Sequence, residues 1–223
     1  MENKALITYL SAFVTEARLK RFEEVLVNRT RHIAIGLENI YQPHNASAVL
    51  RSCDCFGIQD VHIIENQNKY SFNPDVSLGS EKWLTLQRYN DGDKSLDNCI
   101  QNLRNKGYTI AVTSLHKDSY TIENVPLHNK TALFFGTEMR GATAELEAKA
   151  DMFVKIPMLG FTESFNISVA AALSMYALSS RLRKEELPWQ ISETDKQELR
   201  LQWLRNTIPK VELLEKDFLQ KQP

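Results

Sequence analysis

Three short segments of this chain combine residue types and spacing that could do chemistry. The first holds Asn45 and, six residues on, Arg51. Pro43 and His44 precede Asn45, which puts it where a helix N-cap belongs. Arg51 comes almost two turns into that helix, beside the apolar set Val49, Leu50, Cys53 and Phe56. A guanidinium there either pairs with an internal carboxylate or forks onto a phosphate. The second segment follows Phe134-Phe135 and contains Gly136, Glu138 and Gly141. Glycines at a strand end let backbone approach a ligand closely, and Glu138 suits a turn. The third runs from Ile156 to Ala170: a strand, a loop with Pro157 and Gly160, then a helix opened by Ser164 or Asn166. Taken alone it reads as a capped core helix. His44 reads as a structural loop histidine rather than a base.

The elements that must position these residues alternate in type. Residues 3–29 have helical periodicity, with a possible fresh start at Thr15-Glu16. Strands are expected at 32–37, 60–65, 83–89, 108–113, 131–135 and 152–156. Helices are expected at 45–56 (closed by Gly57), 94–105, 144–150 and 166–184, then at 193–205 and 210–221 beyond Pro188. Residues 66–82 are polar and read as a loop. Strands alternating with helices imply an α/β fold, a parallel sheet with helices on both faces. The layout expected is a helical extension over 1–30, a core domain over 31–184 and a second helical extension over 185–223. Ligands in such sheets bind beyond the carboxyl ends of the strands, where the second and third segments fall.

Composition narrows the class. The chain has 223 residues, 43% hydrophobic and 25% charged, enough for one sizeable core without staples. After the first strand no glycine fingerprint follows, and the chain has no G-x-G and no Walker loop, which weighs against ordinary dinucleotide and P-loop sites and weakens the rival reading of a nicotinamide-dependent metabolic enzyme. Three cysteines, Cys53, Cys55 and Cys99, fit neither a zinc site nor a disulfide framework and read as small core residues. No metal is expected. No signal peptide or membrane span is legible, so a cytoplasmic chain is expected. Net charge is −1, which weighs against a nucleic-acid partner. It can hide patches: Arg18, Lys20, Arg21, Arg29 and Arg31 near the N-terminus, and Arg181, Arg183, Lys184, Arg200, Arg205 and Lys210 near the other end. Interleaved acids make solvated helix faces the plainer alternative.

Together and in this order, the three segments resemble the SpoU class of SPOUT RNA methyltransferases, most closely the TrmH family. Asn45 and Arg51 match its first motif; Phe135, Gly136, Glu138 and Gly141 match F-G-x-E-x-x-G; Ile156 to Ala170 matches the third, with Phe165 and Ile167 for the usual Leu and Val. Ser80-Glu81-Lys82-Trp83-Leu84 is also similar to a TrmH stretch. The resemblance spans residues 15–185. It implies a SPOUT-type trefoil knot, which nothing in the periodicity indicates. It also implies S-adenosylmethionine (S-adenosyl-L-methionine) as methyl donor, held at Thr113, Gly136, Ile156, Met158, Gly160 and Phe165. A homodimer is implied as well, with the Ala-rich helix from Asn166 at its interface.

The reaction implied is methyl transfer to a ribose 2′-hydroxyl of RNA, a weak nucleophile whose proton must leave. Arg51 is implied either as base or as the group that binds the adjacent phosphate and stabilises the developing alkoxide. Arginine stays protonated in nearly all protein settings, which favours the second. Asn45 would orient Arg51 or the ribose, Glu138 would anchor the loops or an arginine, and Ser164 and Asn166 would hold the cofactor loop and target nucleotide. The short helical extensions favour the D-loop guanosine 18 of tRNA. The alternatives are rRNA, the tRNA anticodon loop, or a catalytically silent RNA-binding dimer.

Overall fold

Thr15 divides the N-terminal helical stretch, as its position suggests. α1 (Glu2–Ser11) stops short of it, and its side chain accepts from Arg18 N at 3.3 Å, capping the start of α2 (Glu16–Leu26). The structure, a computed structural model, describes residues 2–66, 71–114, 118–137 and 140–221. It separates into two units, Thr30–Trp189 and the two ends of the chain, Met1–Arg29 with Gln190–Pro223.

The larger unit alternates strand and helix. β1 (Thr30–Glu38) leads to α3 (Pro43–Phe56), β2 (Ile58–Ile64), the short α4 (Pro74–Ser77) and β3 (Thr85–Tyr89). Then come α5 (Ser95–Asn105), β4 (Tyr108–Thr113), β5 (Tyr120–Thr121), β6 (Lys130–Phe135), α6 (Ala144–Ala148), β7 (Met152–Lys155) and α7 (Ile167–Leu182). The seven strands form one sheet in the order β3-β2-β1-β6-β4-β7-β5, and every pair is parallel. Strand side chains alternate between two cores. Ile33, Ile35, Leu37, Leu133 and Phe135 join α3 and α7 on one face. Ala34, Ile110, Val112, Ala132 and Phe134 join α5 and Leu146 of α6 on the other. Both faces are therefore covered, which is why the strands read as continuous apolar runs.

Some local expectations need correction. The 66–82 loop contains α4 and a 3-10 turn at Ser80–Lys82. Asn73 accepts from Asp75 N at 3.0 Å and Pro74 opens the turn, so capping chemistry makes a helix without an apolar pattern. Residues 67–70 of that loop lie outside the described ones. The two-residue β5 was not anticipated. Cys53 and Cys99 are core residues, but Cys55 is exposed. Buried His62 sits 3.0 Å from Tyr89 Oη; burial, with Lys106 nearby, lowers its pKa to about 4.

The smaller unit adds α8 (Glu193–Thr207) and α9 (Val211–Gln220) to α1 and α2. Ser192 and Asp195 form a capping box at the start of α8. Phe22 packs edge-on against Trp203 at 5.5 Å. Arg29, an expected RNA contact, is fully buried with its guanidinium over the Trp203 ring at 5.4 Å. It serves the packing of this unit.

Candidate active site

Parallel strands end side by side, and β4, β6 and β7 open at their carboxyl ends into a cavity of about 640 Å³. That volume is in the range of small-molecule sites. Thr113 and Ser114 line it from β4, Phe135, Gly136 and Thr137 from β6, and Val154, Lys155 and Ile156 from β7. Met158, Glu163, Ser164, Phe165 and Asn166 line it from the following loop, and Ile167, Ala170 and Ser174 from α7. Of the site residues expected from sequence, Thr113, Gly136, Ile156, Met158, Ser164, Phe165 and Asn166 therefore share one cavity. Gly160 is exposed and off its walls. Glu138 lies outside the described residues.

The glycine loop is held from three directions. Thr137 N donates to Gly141 O at 2.8 Å and Gly141 N returns to Thr137 O at 3.0 Å. A Cβ at Gly136 would fall 2.1 Å from the backbone of Gly141 and Ala142. The close approach expected there of a ligand is thus made by the chain's own backbone. The third hold was not read from the sequence: Glu38, buried at the end of β1, accepts from Thr143 N at 2.9 Å and from Thr143 Oγ1 at 2.6 Å. Thr143 in turn caps α6 by accepting from Leu146 N at 3.2 Å. Burial raises the Glu38 pKa, Thr143's two hydrogen bonds oppose that, and Glu145 and Glu147 add to the rise.

Asn166 does two jobs with one amide. Its Oδ1 accepts from Ser168 N at 2.9 Å and Ser168 Oγ at 2.6 Å, capping α7. Its Nδ2 donates to Asn45 Oδ1 at 3.2 Å. Asn45 is only 4% exposed and is not the N-cap expected. The helix begins earlier, at Pro43 after Gln42, because proline fits the first helical position without losing a bond. Arg51, two turns along α3, is exposed and has no ion pair or hydrogen bond among the described residues. The internal ion pair offered as its plainer role is absent among those residues, and Arg51 is not on the cavity wall.

Elsewhere the basic residues are largely spent on the fold. Arg31 pairs with Asp60 at 2.8 Å, Arg200 with Glu23 at 2.7 Å and Arg205 with Glu215 at 2.7 Å. Arg181 donates to Ile122 O at 3.1 Å and Val125 O at 2.8 Å, and Arg183 to Phe56 O at 2.9 Å. Arg18, Lys20, Lys184 and Lys210 are exposed. Among the described residues no helix is long and apolar enough to cross a membrane, and no cluster of three His, Cys, Asp or Glu could hold a metal ion.

Residues 32–176, which carry the whole cavity, match the SpoU rRNA methylase family. The chain belongs to that family. This SpoU methylase is 44% identical over 209 residues to a tRNA (guanosine(18)-2′-O)-methyltransferase of Borreliella burgdorferi, covering 94% of each chain. It is 38% identical over 162 residues to the enzyme of that name from Thermus thermophilus, covering 73% of this chain and 81% of the relative. Among solved structures, the Aquifex aeolicus TrmH/SpoU tRNA modifying enzyme superposes with a TM-score of 0.76 at 29% identity, over 87% of this chain and 98% of the other. An AdoMet-bound rRNA methyltransferase from Sinorhizobium meliloti shares the fold, with a TM-score of 0.60 at 19% identity, over 70% of this chain and 58% of that one. SpoU methylases bind S-adenosylmethionine as a family trait, and the parallel α/β architecture here is theirs.

Proposed function

We propose that this chain methylates the ribose 2′-hydroxyl of guanosine 18 in the D-loop of tRNA, with S-adenosylmethionine as donor. The observation that carries this reading is the cavity, which gathers residues from the second and third motifs at the ends of β4, β6 and β7. The 44% identity to a guanosine-18 enzyme over 94% of the chain, helical ends included, supports the choice of nucleotide. Among solved structures, an rRNA methyltransferase and an enzyme acting on nucleotide 34 of tRNA are similar at 19% and 22% identity, which speaks for the fold alone.

The cavity fits the donor's chemistry. Its buried walls, Phe135, Val154 and Ile167, suit a flat ring. Its mouth has both signs of charge, Arg140 and Lys155 against Glu147 and Glu163, as a zwitterionic amino acid requires. Bound there, S-adenosylmethionine supplies a methyl group activated by a sulfonium. The chain's residues do the rest. Asn166 fixes the start of α7 and ties it to Asn45, and Ser164 and Phe165 shape the mouth. Arg51, uncommitted among the described residues, forks onto the phosphate beside the target ribose and stabilises the developing alkoxide. Proton transfer then goes to phosphate or water. Glu138 keeps its proposed part as loop anchor.

A homodimer belongs to this reading, since Arg51 is not on the cavity wall of its own chain. Support comes from α7, where exposed Val169, Leu173 and Tyr176 form a stripe at helical spacing. The trefoil knot implied by the resemblance, the domain limits 31–184 and a cytoplasmic location complete the proposal. Incubating the protein with unmodified tRNA and methyl-labelled donor, then mapping nucleosides, should place label on the ribose of guanosine 18. Label on a base, or none on tRNA, ends the reading. Arg51→Ala should keep cofactor affinity and lose turnover by about 100-fold or more, and Arg51→Lys should fail alike for want of the fork. Binding of donor by wild type without turnover on any RNA would favour the silent dimer.

A further inference from the structure

Serines inside helices usually return their hydroxyl to the carbonyl one turn back. Ser47 does so, to Pro43 O at 2.7 Å, and Ser52 to Ala48 O at 2.9 Å. Ser174, in the middle of α7, does not. It is 0% exposed, and its Oγ has no hydrogen-bond partner among the described residues. A hydroxyl buried without a partner costs about 1–3 kcal/mol. Ser80 and Ser95 also lack a side-chain partner among the described residues, but only Ser174 of the three lines the cavity. It shares a helix face with Ile167 and Ala170, at i, i+3 and i+7, and all three are on the wall.

The lining residues differ in burial. The lining residues that are buried are Phe135, Gly136, Val154, Ile167 and Ser174. Among these buried, described lining residues the Ser174 hydroxyl is the one side-chain group able to donate or accept a hydrogen bond. The charged residues Arg140, Lys155, Glu147 and Glu163 are all more exposed. A planar, largely apolar ring with a polar edge suits the first environment, and an ammonium–carboxylate pair suits the second.

We infer that Ser174 is a ligand-contacting residue, its hydroxyl bonding the edge of the cofactor's purine where α7 borders the cavity. The inference rests on the reading that the cavity takes S-adenosylmethionine. A purine edge offers ring nitrogens that accept and an exocyclic amine that donates, and a serine hydroxyl can answer either. The bond also satisfies a group left without a partner among the described residues.

The test is calorimetric titration of wild type and Ser174→Ala with S-adenosylhomocysteine, 5′-methylthioadenosine and methionine, beside thermal unfolding of the ligand-free proteins. Ser174→Ala should raise the Kd of the two purine ligands about three- to tenfold, by a similar factor for each. It should leave methionine binding as in wild type. The ligand-free midpoint should stay or rise, because an unsatisfied hydroxyl has been removed. Purine affinity unchanged while the midpoint rises overturns the inference, since the hydroxyl then serves no ligand. A loss confined to S-adenosylhomocysteine overturns it as well, since the contact then lies at the amino-acid end. A wild type that binds none of the three overturns the donor reading itself, a result distinct from either.

Discussion

From Thr137 to Gly141 the backbone bonds to itself twice, at 2.8 and 3.0 Å, whereas residues 157–165 make no backbone hydrogen bond among those described. The first loop is backed by Glu38 and Thr143 and leaves no room for a Cβ at Gly136. The second points Leu159 and Phe161 fully into solvent. Among the described residues, one wall of the cavity is therefore held by its own backbone hydrogen bonds and the other is not. Preformed walls reduce the ordering cost of binding, and adaptable ones let a site close over its occupant.

The sharpest way to break this contrast is Gly136→Ala. Its methyl group meets backbone rather than a movable side chain, so about 3 kcal/mol of stability should be lost together with cofactor binding. Denaturant unfolding and calorimetry measure the two; a variant that binds normally would show that the first wall is as adaptable as the second. Next comes Glu38→Ala, which leaves the half-buried Thr143 N–H without its acceptor and should cost about 1–2 kcal/mol. Glu38→Gln keeps one acceptor at the same place and should recover most of that loss in the same unfolding curves. Equal losses for both would mean that volume, not the carboxylate, holds α6. The smallest effect on stability belongs to the open loop. Leu159→Ser with Phe161→Ser should leave the ligand-free unfolding free energy within about 0.5 kcal/mol of wild type. Affinity for S-adenosylmethionine should fall several-fold by titration. A large drop in stability would place this loop with the folded core and remove the contrast.

The same division decides what could be read from sequence. Strands β1, β2, β4 and β6 are apolar runs because both faces of the sheet are covered, and such runs are plain to see. β5 has two residues and no pattern to show. Asn45 looked like a cap because polar residues near a helix start usually are; Pro43 moved the start and gave Asn45 to Asn166 instead. Arg29 reads like any surface arginine until α8 brings Trp203 over it. Glu38 and Ser174 carry no local signal, since each acquires its setting from a segment more than a hundred residues away or from the cavity itself. Chemistry shared among adjacent residues is legible in the chain, and chemistry made by the folding of distant ones is not.

The margins of the sheet have a consequence for self-association. One margin is β5, only Tyr120–Thr121 long. The other is β3, whose Arg88 is forked onto Glu65 at 2.9 and 2.8 Å. A stub and a charged rim are poor templates for an incoming strand, so the sheet resists growing from copy to copy into fibrils. Copies of this protein that meet therefore have little strand edge to pair through.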